Sequence, residues 1–287
     1  MEKFVKILFT VILTSQFIGL TFINADYSVT VGTVNTYDVI ESEWEYISGL
    51  SASEGTGFRF QDTAFSCDEQ ISVTIDGVAI GFIEFTVDVD SESAVFTVTP
   101  LLLLGIVLLL DYPFLFAEGG ENFIQTDAYL GIKLQGLYFI EPDTANDFFS
   151  QLTDDTFVAS EYMNDEHFTY YNVGGEFDTD NNIAVFTWTL DARYEKTTDD
   201  TDYAGAYSFT LEYDQTTGEL KRYRFDFHYE GIFGYSTVDF EHHQEISLPG
   251  YTQQAGTPGL SWIIPLHGLA AVVLFYTSIS KRKSKGN

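Results

Sequence analysis

Residues 203–229 read YAGAYSFTLEYDQTTGELKRYRFDFHY, and this stretch decides the fold. Tyr207, Phe209, Leu211 and Tyr213 alternate with Ser208, Thr210 and Glu212. Tyr223, Phe225, Phe227 and Tyr229 alternate in the same way with Arg224, Asp226 and His228. A period of two puts every second side chain on one face of a strand, so each run predicts a strand with one buried aromatic face. Gln215-Thr216-Thr217-Gly218 between them has hairpin chemistry, with Gly218 suited to a left-handed position.

The pattern extends both ways. Upstream, Ala184, Phe186, Trp188, Leu190 and Tyr194 share a face. Downstream, a tight loop at Gly231–Gly234 returns the chain through Tyr235–Leu248. Pairing about that loop sets Arg224 opposite Glu241 and Phe225 opposite Phe240, with face parity agreeing on both strands. Ile183–Leu248 is therefore expected to form a four-stranded antiparallel meander with an aromatic face buried and an acidic face wet. In the first half, Thr33–Ile47 reads as one long strand or a bent pair. Ile71–Asp76 and Ile83–Asp90 alternate again, with Asp76-Gly77 as the turn signal between them. One helix is predicted, Pro142–Leu152, with Thr144 and Asp147 spaced as a capping box and Phe148, Phe149 and Leu152 on its inner side. Leu101–Leu110 (LLLLGIVLLL) is too short to cross a bilayer and reads as a buried segment capping the β-core.

The fold class that follows is mainly β: an antiparallel meander, curved sheet or sandwich, with one short helix and a buried apolar segment. Residues 26–248 form the domain, as one unit or as two halves, 26–99 and 168–248, joined by the insert 100–167. Apolar segments flank it. Residues 1–25 carry Lys3 and Lys6 before apolar runs at Ile7–Leu13 and Phe17–Ile23, which is the layout of a signal peptide. Residues 249–259 read as a linker. Residues 260–279 are apolar over a length that spans a bilayer, and the basic residues Lys281, Arg282, Lys283 and Lys285 follow within 280–287. Basic residues on one side fix the orientation as tail inside and domain outside. The expected location is the cell surface, held by a C-terminal transmembrane helix.

The formal net charge of −30 becomes −35 over Asp26–Pro258, because the flanks carry most of the cations. Such a surface excludes nucleic acid, whose phosphates need Lys and Arg. With 45% apolar and 16% aromatic residues, acidity does not imply disorder. Cys67 is the single cysteine, so no intrachain disulfide forms, and a buried free thiol is expected.

Candidate chemistry is sparse. Asp178-Thr179-Asp180-Asn181-Asn182 has the start of a calcium loop, but Ile183 stands where an EF-hand needs Gly and Thr189 where it needs Glu. Asp178, Asp180 and Asn182 folding together with Asp199, Asp200 and Asp202 would make a looser calcium site. His242-His243 lies beside Glu241 and Glu245. Adjacent strand residues face opposite ways, so the two imidazoles cannot share one ion, and both are read as exposed strand histidines. No G-x-S-x-G, H-E-x-x-H or glycine-rich phosphate loop is present, and the chain is not expected to be an enzyme.

Gly256-Thr257-Pro258-Gly259, followed by an apolar span and a basic end, resembles the C-terminal sorting signal of archaeal surface proteins. It is similar in layout to the tripartite PGF-type tail, with Pro258-Gly259-Leu260 at the place of the short motif. The resemblance implies that the tail is recognised and removed in exchange for a lipid. More faintly, Val31-Gly32 before a long first strand and the Y-D-x-x-T-G-x-L hairpin at Tyr213–Leu220 resemble β-rich domains carried by such tails, which implies a surface module without an assigned activity. Two functions are then expected. The first is a structural or interaction role toward other surface proteins, with calcium-dependent adhesion as a variant. The second is binding of a hydrophobic ligand in an aromatic cup resembling lipoprotein-carrier folds.

Overall fold

A computed structural model describes residues 27–60, 63–65, 67–98, 132–133, 138–141, 146–150, 153 and 167–251. The leader, Leu101–Leu110, the Thr144 cap, the linker beyond Tyr251, and the apolar tail with its basic end lie outside the described residues. Among the described residues no helix is long and apolar enough to cross a membrane. The chain divides into two units, Met1–Tyr251 and Thr252–Asn287.

The alternating segments become strands β1 (Val34–Ser48), β2 (Ser51–Gly55), β3 (Phe58–Phe60), β4 (Thr63–Phe65), β5 (Gln70–Ala79), β6 (Phe82–Val89) and β7 (Glu92–Val98). After the insert come β8 (Ile132–Lys133), β9 (Phe168–Asp180), β10 (Ile183–Lys196), β11 (Thr201–Asp214), β12 (Leu220–Phe233) and β13 (Ser236–Ser247). One ten-stranded sheet runs β7-β6-β5-β1-β13-β12-β11-β10-β9, with β2 beside β1, and β4-β3-β8 make a small second sheet. Both β regions thus join one sheet through antiparallel β1 and β13. The meander is present as β10–β13, and β9 adds a further strand at its edge.

Three local expectations are corrected. The β12–β13 register is displaced by four residues: Arg224 pairs with Glu245 and Phe225 with Gln244, while Phe240 faces Tyr229. The strands run on past Gly231 until Phe233 pairs with Ser236, and the turn is Gly234-Tyr235, with Gly234 at φ +57°. An even shift preserves every face, so parity could not reveal it. Asp76-Gly77 is a bulge inside β5, between Ile75 and Gly77, and the turn falls at Ile80-Gly81. Cys67 is exposed, in the turn that enters β5.

Of the predicted helix, residues 146–150 are described and helical, and Phe148 and Phe149 are buried as expected. Phe149 stacks on Phe186 of β10 with ring centroids 4.5 Å apart. Tyr138 and Phe139 cover β1 and β6 in the same way, meeting Tyr37 at 5.3 Å and Phe85 at 5.1 Å. Phe58 of β3 lies against Tyr223. One face of the sheet is thus covered by aromatic side chains from the chain's own connecting segments. Each such ring removed from water contributes roughly 2–3 kcal/mol, before the entropy of ordering it.

Polar side chains also sit within this apolar layer, His242 and Gln244 among them. His242 is fully buried, which overturns its reading as an exposed residue: even-numbered positions of β13 share the face of Phe240 and Ile246. Its Nε2 lies 3.3 Å from the Gly57 carbonyl and 2.9 Å from Gln244 Nε2. Gln244 donates to the same carbonyl and accepts from the Tyr223 hydroxyl at 3.0 Å. The loop before β3 is thereby fastened to the sheet.

Packing is also close at the other end of the meander. Gly205 of β11 faces Tyr229 of β12, whose ring lies over it, and a Cβ at position 205 would stand 2.4 Å from Tyr229 Cδ2. Leu190, Tyr203, Tyr207 and Phe227 complete a small recess there, with a volume of about 10 Å³, or room for roughly one water. Gly205→Val is therefore expected to cost about 1–3 kcal/mol through overpacking, read as a lower urea midpoint with an unchanged slope. An unaltered midpoint would show that Tyr229 can turn aside.

Candidate functional site: a charged ladder on the outer face

The opposite face of β1, β13, β12 and β11 carries rows of charge set by register. In one row Glu41, Glu245, Arg224 and Thr210 lie side by side. In the next row stand Glu43, His243, Asp226 and Ser208, and on the other side Asp38, Ser247, Arg222 and Glu212. A bulge between Val39 and Glu41 brings Glu41 there. Tyr37 and Val39 face the core, Ile40 is the extra residue, and Ser42 and Tyr46 resume the core face at even positions. Glu41 consequently turns outward.

Arg222 is the most enclosed cation. It donates from Nη1 to Glu212 at 2.9 Å and from Nε to Glu245 at 2.7 Å, and Glu212 is fully buried. The Tyr251 hydroxyl donates to the other Glu212 oxygen at 2.6 Å. Burial opposes the charge on Arg222, but hydrogen bonds and charge from Glu245 and Glu212 outweigh it and hold its pKa above the ordinary value.

Beside this lies a half-buried group. Arg224 Nε donates to Asp226 Oδ2 at 2.6 Å, and its Nη1 donates to Glu245 at 3.1 Å. His243 Nδ1 lies 3.0 Å from Asp226 Oδ1. Ligand-capable atoms of Glu41, Asp226 and His243 all fall within 4.8 Å of one another. The hydrogen bond to Asp226 raises the His243 pKa, against the opposing effect of its burial. Burial pushes the Glu41 carboxyl up. Asp226 would also rise by burial, but His243 and Arg224 hold it below the usual carboxylate range. The arrangement can share a proton between His243 and Asp226, and it presents carboxylate oxygens and an imidazole nitrogen toward one point.

The six residues of the expected calcium site are not gathered by the fold. Asp178 and Asp180 end β9, and Asn182 lies in the two-residue turn before β10. Asp199 and Asp200 follow the other end of β10 and Asp202 of β11 pairs with Glu195 there, at the far end of a strand whose 14 residues extend roughly 45 Å. Each group has its own partners. Asn182 donates to Asp214 at 3.1 Å, the Asp178 carboxylate accepts from the Thr179 amide at 2.7 Å, and Arg193 grips Asp202 through two hydrogen bonds. The Glu41–Asp226–His243 group escaped the sequence reading because its members come from β1, β12 and β13. The one signal available was the change of core parity from odd at Val39 to even at Ser42. No protein-family model matches the chain, and no curated protein matches it.

Proposed function

We propose that the chain is an exported acidic β domain held at the cell surface by its C-terminal apolar segment, where it serves a structural or interaction role. The observation that carries this reading over the ligand cup is the filling of the aromatic face. The chain's own Phe58, Tyr138, Phe139 and Phe149 lie on it, and the recess under Gly205 has room for about one water. A carrier for a lipid needs a cavity of roughly 300–1,000 Å³. The surface reading also draws support from the charge of −35 over Asp26–Pro258, which keeps neighbouring copies apart, and from the apolar-then-basic tail with its archaeal-type layout.

Fractionation of expressing cells tests it. The full chain should remain with membranes through a high-salt wash, and its domain should be cut by protease added outside intact cells. A chain ending at Pro258 should appear in the medium with the β-type circular dichroism of the full protein. Recovery of the full chain in the soluble cell interior would reject surface display. Native mass spectrometry of the secreted form separates the two roles: a stoichiometric lipid mass would transfer the assignment to ligand carriage.

A further inference from the structure

We propose that Glu41, Asp226 and His243 form a binding site for a divalent transition-metal cation of the zinc type, set on the outer face of β1, β12 and β13. The spacing suits such an ion. Ligand atoms about 2.0–2.1 Å from tetrahedral zinc stand roughly 3.3 Å apart. His243 Nδ1 and Asp226 Oδ1, at 3.0 Å, already hold that separation. The third ligand is Glu41, a half-buried residue whose rotamer can close the remaining distance within the 4.8 Å group. Glu41 Oε2 is out of contact with water and accepts no hydrogen bond; its cation is Arg224 Nη2 at 3.6 Å. A desolvated carboxylate oxygen left in that state favours a closer cation.

Arg224 Nη2 stands at the site, donating to Asp226 Oδ1 at 3.1 Å and lying 3.6 Å from Glu41 Oε2, so an ion binds there by displacing it. The shorter bond from Arg224 Nε to Asp226 Oδ2, at 2.6 Å, still holds the carboxylate when Nη2 gives way, the role an outer partner plays around metal ligands. Charge balance points the same way. Glu41, Asp226, Glu212 and Glu245 share two guanidiniums, Arg222 and Arg224, so the four carboxylates exceed the fixed positive charge by two. A divalent cation supplies both charges. The donor set selects the class of ion: one imidazole and two carboxylates suit zinc-like cations, whereas calcium takes six to eight oxygens.

The test uses full-length protein in detergent, stripped with chelator and titrated with zinc chloride and calcium chloride by calorimetry. Cobalt(II) absorption serves as a second readout of coordination. The expected result is one zinc per chain, not displaced by excess calcium, with a visible cobalt band that zinc abolishes. Glu41→Gln and His243→Gln should each weaken zinc binding by about tenfold or more. His228→Gln, which removes a neighbouring imidazole paired with Asp239, should leave it unchanged. Circular dichroism checks folding, and Glu41→Gln at its half-exposed position decides the matter if His243→Gln unfolds. Absence of stoichiometric zinc in the native chain would overturn the site, as would preference for calcium or equal zinc binding in all three variants.

Discussion

Arg222→Met is expected to lower stability by about 3–5 kcal/mol, the largest loss from any single outer-face substitution. Arg222 is 6% exposed and stands between Glu212, at 0%, and Glu245, at 8%. Removing the guanidinium leaves Glu212 desolvated with only the Tyr251 hydroxyl as a described side-chain donor, while Glu245 keeps Arg224. A buried carboxylate without its counter-ion must stay charged at high cost or take up a proton. In a domain of this size the thermal midpoint should fall by on the order of 10 °C. The pair itself is a different matter, since two charges removed together restore neutrality. The double variant Glu212→Leu/Arg222→Met should therefore recover most of the loss. If the double variant is as unstable as the single one, packing around the Arg222 stem, and not charge, carries the effect.

Acid should expose the second large term. Burial depresses the His242 pKa from 6.5 to about 3, the hydrogen bond to Gly57 only partly opposing it. The folded protein refuses a proton that the unfolded chain accepts below pH 6.5. The stability tied to neutral His242 is thus complete above pH 6.5 and is lost as pH falls toward 3, by an amount on the order of 4 kcal/mol. His228 and His243 act in the opposite sense. Their folded pKa values are raised by Asp239 and Asp226, so their contribution is present below 6.5 and fades as pH rises through the folded values. Being partly exposed, they soften the acid slope without reversing it. Urea midpoints measured from pH 7.5 to 4 should fall steadily for the native chain and much less for His242→Gln. Parallel profiles would mean that His242 takes up its proton without unfolding.

Much of the sheet could be read from alternation alone. The aromatic faces of β10, β11 and β12 follow from Trp188, Phe209 and Phe225 with their neighbours at every second position, and all three are buried. Register was harder, because the side-chain period of two fixes a face but is blind to a shift of four. Turn chemistry then had to decide, and Gly231-Ile232-Phe233-Gly234 offers two glycines of which only Gly234 makes the bend. His242 was legible in principle: two residues from Phe240 on the same strand, it had to share Phe240's buried face. The charged ladder was not legible. Glu41 reaches Asp226 and His243 only through the β1 bulge and the pairing of β1 with β13, and local pattern carries neither.

That pairing also sets the order in which the chain can fold. β1 is the first strand of the sheet in sequence, yet most of it waits for β13: Asp38 meets Ser247 and Ser48 meets Val238, separations of about 200 residues. The hairpins of β5–β7 and of β9–β13 are local and can form as soon as each is made. Two independent ribbons therefore precede the sheet, each with a raw edge open to strangers until β1 bridges them. For a chain that emerges amino end first, the sheet cannot close until nearly the last residue of the domain has arrived. A long interval therefore remains in which the exposed edge of β13 must find β1 before it finds another molecule.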